Sequence, residues 1–295
     1  MGAVGTLLRG WRAAKPVLDT VRQAETDAED GGLLSVLTTD PSTDGRLRAL
    51  LGAPSIRPAP ADALLVHALA PGRDPEAGLR ELADHLRRGG AGALAIVLGT
   101  AAERAELERA VLAVEPLEMS NVAHAPSLEG PGATLAIEAV LRALGDRTLA
   151  AGKRYPELRP PIAEQLIAKA SRRAAAIGAV ELFPGSDLPA LLLIQVGLVG
   201  QLAVLHDRPL GAERALEAAA VAVAGVGWRS LARVAAGRVP GPAFALRGGM
   251  AYAGTRALGE AVLLKVSRGE DLVPERVAAE VRGRLGGVLE RLGVA

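Results

Sequence analysis

The chain has no cysteine, which excludes disulfides and cysteine-ligated metal sites without identifying a compartment. Aromatic residues are almost as scarce, with two each of Phe, Tyr and Trp among 295 residues. The core must therefore be built from Ala, Leu and Val, a mixture that favours helix and lets helix backbones approach closely. A strong net charge is also missing. The formal balance is +1, so no overall field draws the chain to nucleic acid, although Arg far outnumbers Lys. Catalytic patterning is absent too. Ser35, Ser55, Ser120 and Ser127 lack a Gly-x-Ser-x-Gly elbow, and no two of His67, His85, His124 and His206 stand at metal spacing with a carboxylate partner. The expectation is a chain without catalytic, cofactor-binding or metal-binding residues, and not an enzyme.

What is present is organised around Asp187 to Leu205. After Asp187 no ionisable side chain occurs until His206, a run at the lower limit for crossing a bilayer as a helix. Asp187 suits an N-cap, and Pro189 falls where a first-turn proline needs no backbone donor. The segment is a helix with a sharp start, buried in protein or in lipid. Mean hydropathy is +0.24, and most of that excess lies in the second half.

Residues 1 to 30 suggest a leader helix with Leu7, Leu8, Trp11, Val17, Leu18 and Val21 on an irregular apolar face. It lacks a long apolar stretch, so no cleaved signal peptide is expected. Residues 31 to 150 alternate short apolar runs with helical patterns, as βαβ units of a parallel sheet do. The expected strands are Leu33 to Thr38, Ala63 to Ala68, Ala93 to Leu98 and Ala113 to Glu118. The expected helices begin at Asp74-Pro75-Glu76, near Ala102 and near Gly132, with Leu79, Leu82, Leu86, Leu135, Val140, Leu141 and Leu144 inward. Pro54, Pro58 and Pro60 make Ala53 to Ala61 a loop.

The phrase Thr38-Thr39-Asp40-Pro41-Ser42-Thr43-Asp44-Gly45-Arg46-Leu47-Arg48-Ala49-Leu50-Leu51-Gly52 follows the first strand as a phosphate loop and its helix would. With Ala61-Asp62-Ala63-Leu64-Leu65-Val66 and Ala95-Ile96-Val97-Leu98 in order behind it, this region resembles an Era-type GTPase domain that has lost its nucleotide site. The family's Gly-Lys-Ser falls on Ser42, Thr43 and Asp44, so the phosphate-binding lysine is gone. No Asp-x-x-Gly precedes the second strand. Ala53 to Ala61 is too short for the two strands the family places there, and Gly99-Thr100-Ala101-Ala102 stands where the base-reading motif belongs. A small Rossmann-like domain that never bound GTP is the other reading of the same pattern.

Residues 151 to 295 read as all-helical. Gly152 to Arg159, before Pro160-Pro161, is expected to be a hinge. Helices follow at Ile162 to Leu182, Leu188 to Leu205, Ala212 to Val234 and Phe244 to Lys265, with a last amphipathic one opening at Pro274. In the fourth, Gly249, Ala253, Ala257 and Ala261 recur every fourth residue, a small-residue stripe fit for close helix packing or a membrane face. Gln195 and Gln201 interrupt the apolar helix. Each could bond a neighbouring helix or line a membrane pathway. Arg229, Arg233, Arg238, Arg247 and Arg256 surround the apolar segments and suit either anionic headgroups or helix ends and ion pairs.

Asp187-Leu188-Pro189, Pro240-Gly241 and Ala251, Tyr252, Gly254, Thr255, Arg256, Ala257 and Gly259 carry a second resemblance, covering about 110 residues from Ile162 to roughly Asp271. They resemble the YcjF-type domain of unknown function, a bacterial domain that commonly follows an Era-like GTPase domain and is often membrane-associated. The resemblance implies a scaffold or regulator on the cytoplasmic side of the inner membrane, peripheral or partly inserted, whose α/β half takes no nucleotide. It implies a membrane-surface or protein partner and no nucleic acid, with a homo-oligomer open. A soluble cytoplasmic interaction module is the alternative, and a GTPase with unusual motifs a third.

Overall fold

The computed structural model describes residue 19 and residues 33–37, 39–179, 188–208, 243–270, 272–273, 276–277, 279–281 and 283–284. The expected leader helix, apart from Asp19, the expected helix at 212–234, Asp187, Arg229, Arg233 and Arg238 lie outside them. The chain divides into two compact units. One spans Ala24–Ile162; the other includes everything from Ala163 onward.

The first unit is α/β. Its four strands are β1 (Leu34–Val36), β2 (Leu64–Leu69), β3 (Gly92–Leu98) and β4 (Val122–Ala125). They form one parallel sheet in the order β1-β2-β3-β4. Register is set by Leu34 opposite Leu64, Leu64 opposite Gly92 and Ala95 opposite Val122. Every residue of β2 is buried, because helices cover both sheet faces; hence a run apolar except for His67 in place of an alternating one.

Local chemistry explains the helix ends. Helix α1 (Pro41–Leu51) starts with proline at a position that needs no donor and stops at Gly52, whose φ of 63° a side chain would resist. Helix α2 spans Glu76–Arg87, and α3 (Ala101–Leu112) opens on a capping box between Thr100 and Glu103. Leu79, Leu82 and Ala83 of α2 and Leu107 and Val111 of α3 pack with Leu65, Leu69, Ala93, Ala95 and Val97 into one core layer. Helix α4 (Gly130–Leu144) packs on β4, β3 and β2 and touches α1, covering the alternate residues.

Three expectations need correction here. The fourth strand is not Ala113 to Glu118. Ala113 closes α3, and Val114 and Leu117 continue in turns, with amides donating to Val111 and Val114. The strand lies at Val122–Ala125, at the sheet edge, where only Ala125 is fully buried, so no apolar run announces it. Leu135 is exposed; the α4 stripe turns on Ala136, Ala139, Val140 and Leu144 instead. Gly152 to Arg159 is no hinge. It holds the end of α5 (Thr148–Arg154), a 3-10 turn at Pro156–Leu158 and the start of α6 (Arg159–Ala179). Tyr155 is buried, and its hydroxyl accepts from the Leu34 amide at 3.0 Å and donates to the Leu34 carbonyl at 3.3 Å. Pro160 and Pro161 sit in a first turn, where prolines are tolerated.

In the second unit the described elements are helical. Beyond the first turn of α6 they include α7 (Leu188–Leu205) and α8 (Ala243–Ser267). On α6, Ile167, Ser171 and Ala174 are buried and Lys169, Arg172 and Arg173 exposed, as a 3.6-residue period requires. Leu198, Val199, Leu202, Ala203, Val204 and Leu205 are all buried, so the C-terminal half of α7 is enclosed except at the half-buried Gln201. Among the described residues no helix is long and apolar enough to cross a membrane.

Candidate functional site

In an open parallel sheet, groups gathered beyond the carboxyl ends of the strands are the first place to look for a site. Here the chain leaves β1, turns at Thr39 and Asp40, and enters α1. The fourth residue of that helix, Asp44, is fully buried. Its carboxylate folds back over the helix start and accepts the amides of Thr39 at 2.5 Å and Asp40 at 2.6 Å on one oxygen, Oδ2. The Asp40 amide belongs to those left without an intrahelical partner at a helix N-terminus, Thr39 immediately precedes it, and a negative charge there also suits the helix dipole.

The other oxygen, Oδ1, has no hydrogen-bond partner. It faces His67 Nδ1, also unpartnered, at 3.7 Å. On the far side of the ring, His67 Nε2 lies 3.3 Å from Thr39 Oγ1. His67 stands in the middle of β2 and is 2% exposed. Burial pushes its pKa down to about 4, so the ring is neutral near pH 7. Burial pushes the Asp44 carboxyl up, opposed by the two amide bonds. Asp40, by contrast, is held low by the Thr43 hydroxyl, which donates to it at 2.7 Å. The two aspartates are driven apart by environment, one dry and one wet.

The recess beside this cluster is lined by Thr39, Asp40, His67, Arg73, Asp74 and Pro75 and has about 10 Å³ of free space. That is room for a single water and far too little for a nucleotide. Gly78 of α2 closes the site from above. A Cβ there would lie 2.2 Å from His67 Nε2, so only glycine lets the ring occupy this place.

The arrangement resembles a hydroxyl–imidazole–carboxylate relay in order, but not in geometry. At 3.7 Å the carboxylate is beyond hydrogen-bond reach of the ring, the ring is a weak base, and the carboxylate is committed to backbone amides. What the arrangement does is fix the β1–α1 turn. Among the described residues no group of three or more His, Asp or Glu could hold a metal ion.

The residues singled out from the sequence lie elsewhere and do not converge. Asp187 is outside the described residues, and Pro189 falls in the first turn of α7. Gln195 donates to Thr255 Oγ1 at 3.4 Å, tying α7 to α8. Gln201 is half-buried. Gly249 is exposed with nothing within 4 Å of where a Cβ would sit, Ala253 is half-buried, and Ala257 and Ala261 are buried. The four-residue spacing drifts by about 40° per step around a helix, so the stripe spirals from solvent into the core. The close contacts follow another line. Gly178 of α6 meets Ala251, Gly248 meets the Ala175 carbonyl, and Gly259 meets Ile167 and Leu198.

No local pattern in the sequence pairs Asp44 with His67. Asp44 stood out only as a misfit in a phosphate loop. A histidine in a buried six-residue strand was the available signal for the rest, since such a ring demands a partner. Comparison with models of protein families, with curated proteins and with solved structures finds no match to the chain.

Proposed function

We propose that the chain is a non-enzymatic scaffold or regulatory protein of the cytoplasmic membrane surface. In this reading the α/β unit is a degenerate GTPase-like domain and the helical unit is a YcjF-type domain. One observation carries the first part: the turn that would cradle a phosphate already holds an anion of its own. The Asp44 carboxylate takes the Thr39 and Asp40 amides and is fully buried. A nucleotide phosphate would have to expel it, and would meet no lysine in compensation. The strand order agrees with the loss of two strands after α1. The segment that replaces them runs along β1 through the Val36 amide on the Pro54 carbonyl and Ser35 Oγ on the Ile56 backbone.

Enclosure of the C-terminal half of α7 favours a peripheral seat over insertion, because that surface is already shielded from water. The same enclosure suits the second reading, an interaction module with no membrane role.

Isothermal titration of the full chain with GTP or GDP and magnesium tests the nucleotide claim. No heat is expected up to millimolar concentration, and micromolar binding of either nucleotide would overturn the reading. Flotation with membranes before and after carbonate washing tests the location. Release by carbonate fits a peripheral protein, whereas retention shows insertion.

A further inference from the structure

The two units carry opposite charge. Ala24–Ile162 holds fourteen Lys and Arg against twenty Asp and Glu, a net −6. Residues 163–295 hold sixteen against twelve, a net +4. Near-neutrality of the whole chain conceals this division, and asymmetry of this kind is what a chain with one surface-binding half shows.

Within the basic unit the described cations are unevenly placed. Lys169, Arg172 and Arg173 are exposed, lie within five residues on α6, and fall within about 100° of one another around its axis. Gln165 and Ala176 complete that face, and no carboxylate belongs to it. Glu164, the only acid of α6, points elsewhere and is engaged by Arg256 at 2.9 Å. Arg256 in turn meets Glu260 at 2.9 Å, and Arg284 bonds Glu260 and Glu280 at 3.0 Å each. Glu164, Glu260 and Glu280 are thus matched to other arginines. Among the described residues Lys169, Arg172 and Arg173 make no ion pair with any of them.

The geometry points to the outer face of α6 as an electrostatic dock for an anionic lipid surface, with Lys169, Arg172 and Arg173 as the contacting charges. This rests on the membrane reading above and supplies its contact face. Two features favour a lipid surface over an acidic protein. The exposed cations form a single-sign helix face with no acid among them. They are also long side chains, which reach into headgroups while their stems stay on the helix.

Sedimentation of the purified full chain with vesicles tests it, comparing phosphatidylglycerol–phosphatidylcholine mixtures with pure phosphatidylcholine at about 0.1 M salt. The wild type should bind only the anionic vesicles. The triple variant Lys169→Gln, Arg172→Gln, Arg173→Gln should bind them on the order of a hundredfold more weakly, at about fivefold per charge. A control variant, Arg48→Gln, Arg80→Gln, Arg88→Gln, removes the same charge from exposed sites of the α/β unit and should bind as the wild type does. Equal binding by the first triple variant and the wild type overturns the α6 face and leaves membrane association standing. A wild type that ignores anionic vesicles overturns both. Equal losses in the two triple variants overturn the local dock in favour of overall charge.

Discussion

Asp44 Oδ1 and His67 Nδ1 face each other at 3.7 Å, both buried and neither hydrogen-bonded. A buried polar atom without a partner is costly, and here two face each other just beyond hydrogen-bond reach. His67 is buried and neutral at pH 7. Acid asks it to charge.

Stability should therefore fall on acidification. The unfolded His67 takes its proton near pH 6.5, whereas the folded one waits until about 4. Between those values the unfolded state binds more protons, so stability declines as pH drops from 6.5 to 4, by at most about 3 kcal/mol. Asp44 acts with the opposite sign. Its folded pKa is raised, so its ionised form costs stability that returns as pH falls through that value, softening the acid end. Urea unfolding at several pH values should show a shallower slope for His67→Gln than for the wild type. Parallel slopes would mean that the ring is not the titrating group.

Asp44→Ala should destabilise the α/β unit by about 2–4 kcal/mol. It leaves the Thr39 and Asp40 amides without their acceptor in a buried place and removes a charge suited to the helix start. Asp44→Asn keeps an oxygen for those amides and should cost less, about 1–2 kcal/mol, since the bonds become neutral. Chemical denaturation ranks the two. An alanine variant as stable as the wild type would show that water replaces the carboxylate freely.

The parallel sheet is legible in the sequence because β2 and β3 are short, buried runs, apolar except for His67, set between turn residues and helical patterns. The edge strand Val122–Ala125 was hidden for the reason that makes it an edge: half its surface is wet. The prolines after Gly152 to Arg159 suggest a hinge there, while the bond that holds Tyr155 in place, to Leu34, spans 121 residues. The same holds for the site. Asp44 is legible as a residue unfit for phosphate, but its pairing with His67 depends on how β2 lies beside α1, and no local pattern encodes that.

Gly78→Ala should cost about 1–3 kcal/mol, although a helix-interior glycine replaced by alanine ordinarily gains about 1 kcal/mol. The added carbon would meet the His67 ring at 2.2 Å, and the ring is held between Thr39 and the core. In a His67→Ala background the same change should turn neutral or stabilising, a coupling that a double-mutant cycle reads directly. Additive effects in the cycle would place the strain elsewhere than at the ring.

Two glycine replacements in α8 should move stability in opposite directions. Gly259 lies against Ile167 of α6 and Leu198 of α7, and a Cβ there would approach them to 2.7 Å and 3.1 Å. Both neighbours are buried, at 0% and 1% exposure, so neither can swing aside into solvent. Gly259→Ala should therefore cost about 1–3 kcal/mol despite its gain in helix propensity. Gly249, ten residues earlier on the same helix, is exposed and would place its Cβ in open space. Gly249→Ala should add about 0.5–1 kcal/mol, because only the entropy of the unfolded chain changes. Ala253→Leu, at a half-buried position between them, should fall between the two. Thermal melts of the full chain separate the outcomes. If Gly249→Ala proved as damaging as Gly259→Ala, the exposed end of the small-residue stripe would be a packing face after all, covered by another surface in solution.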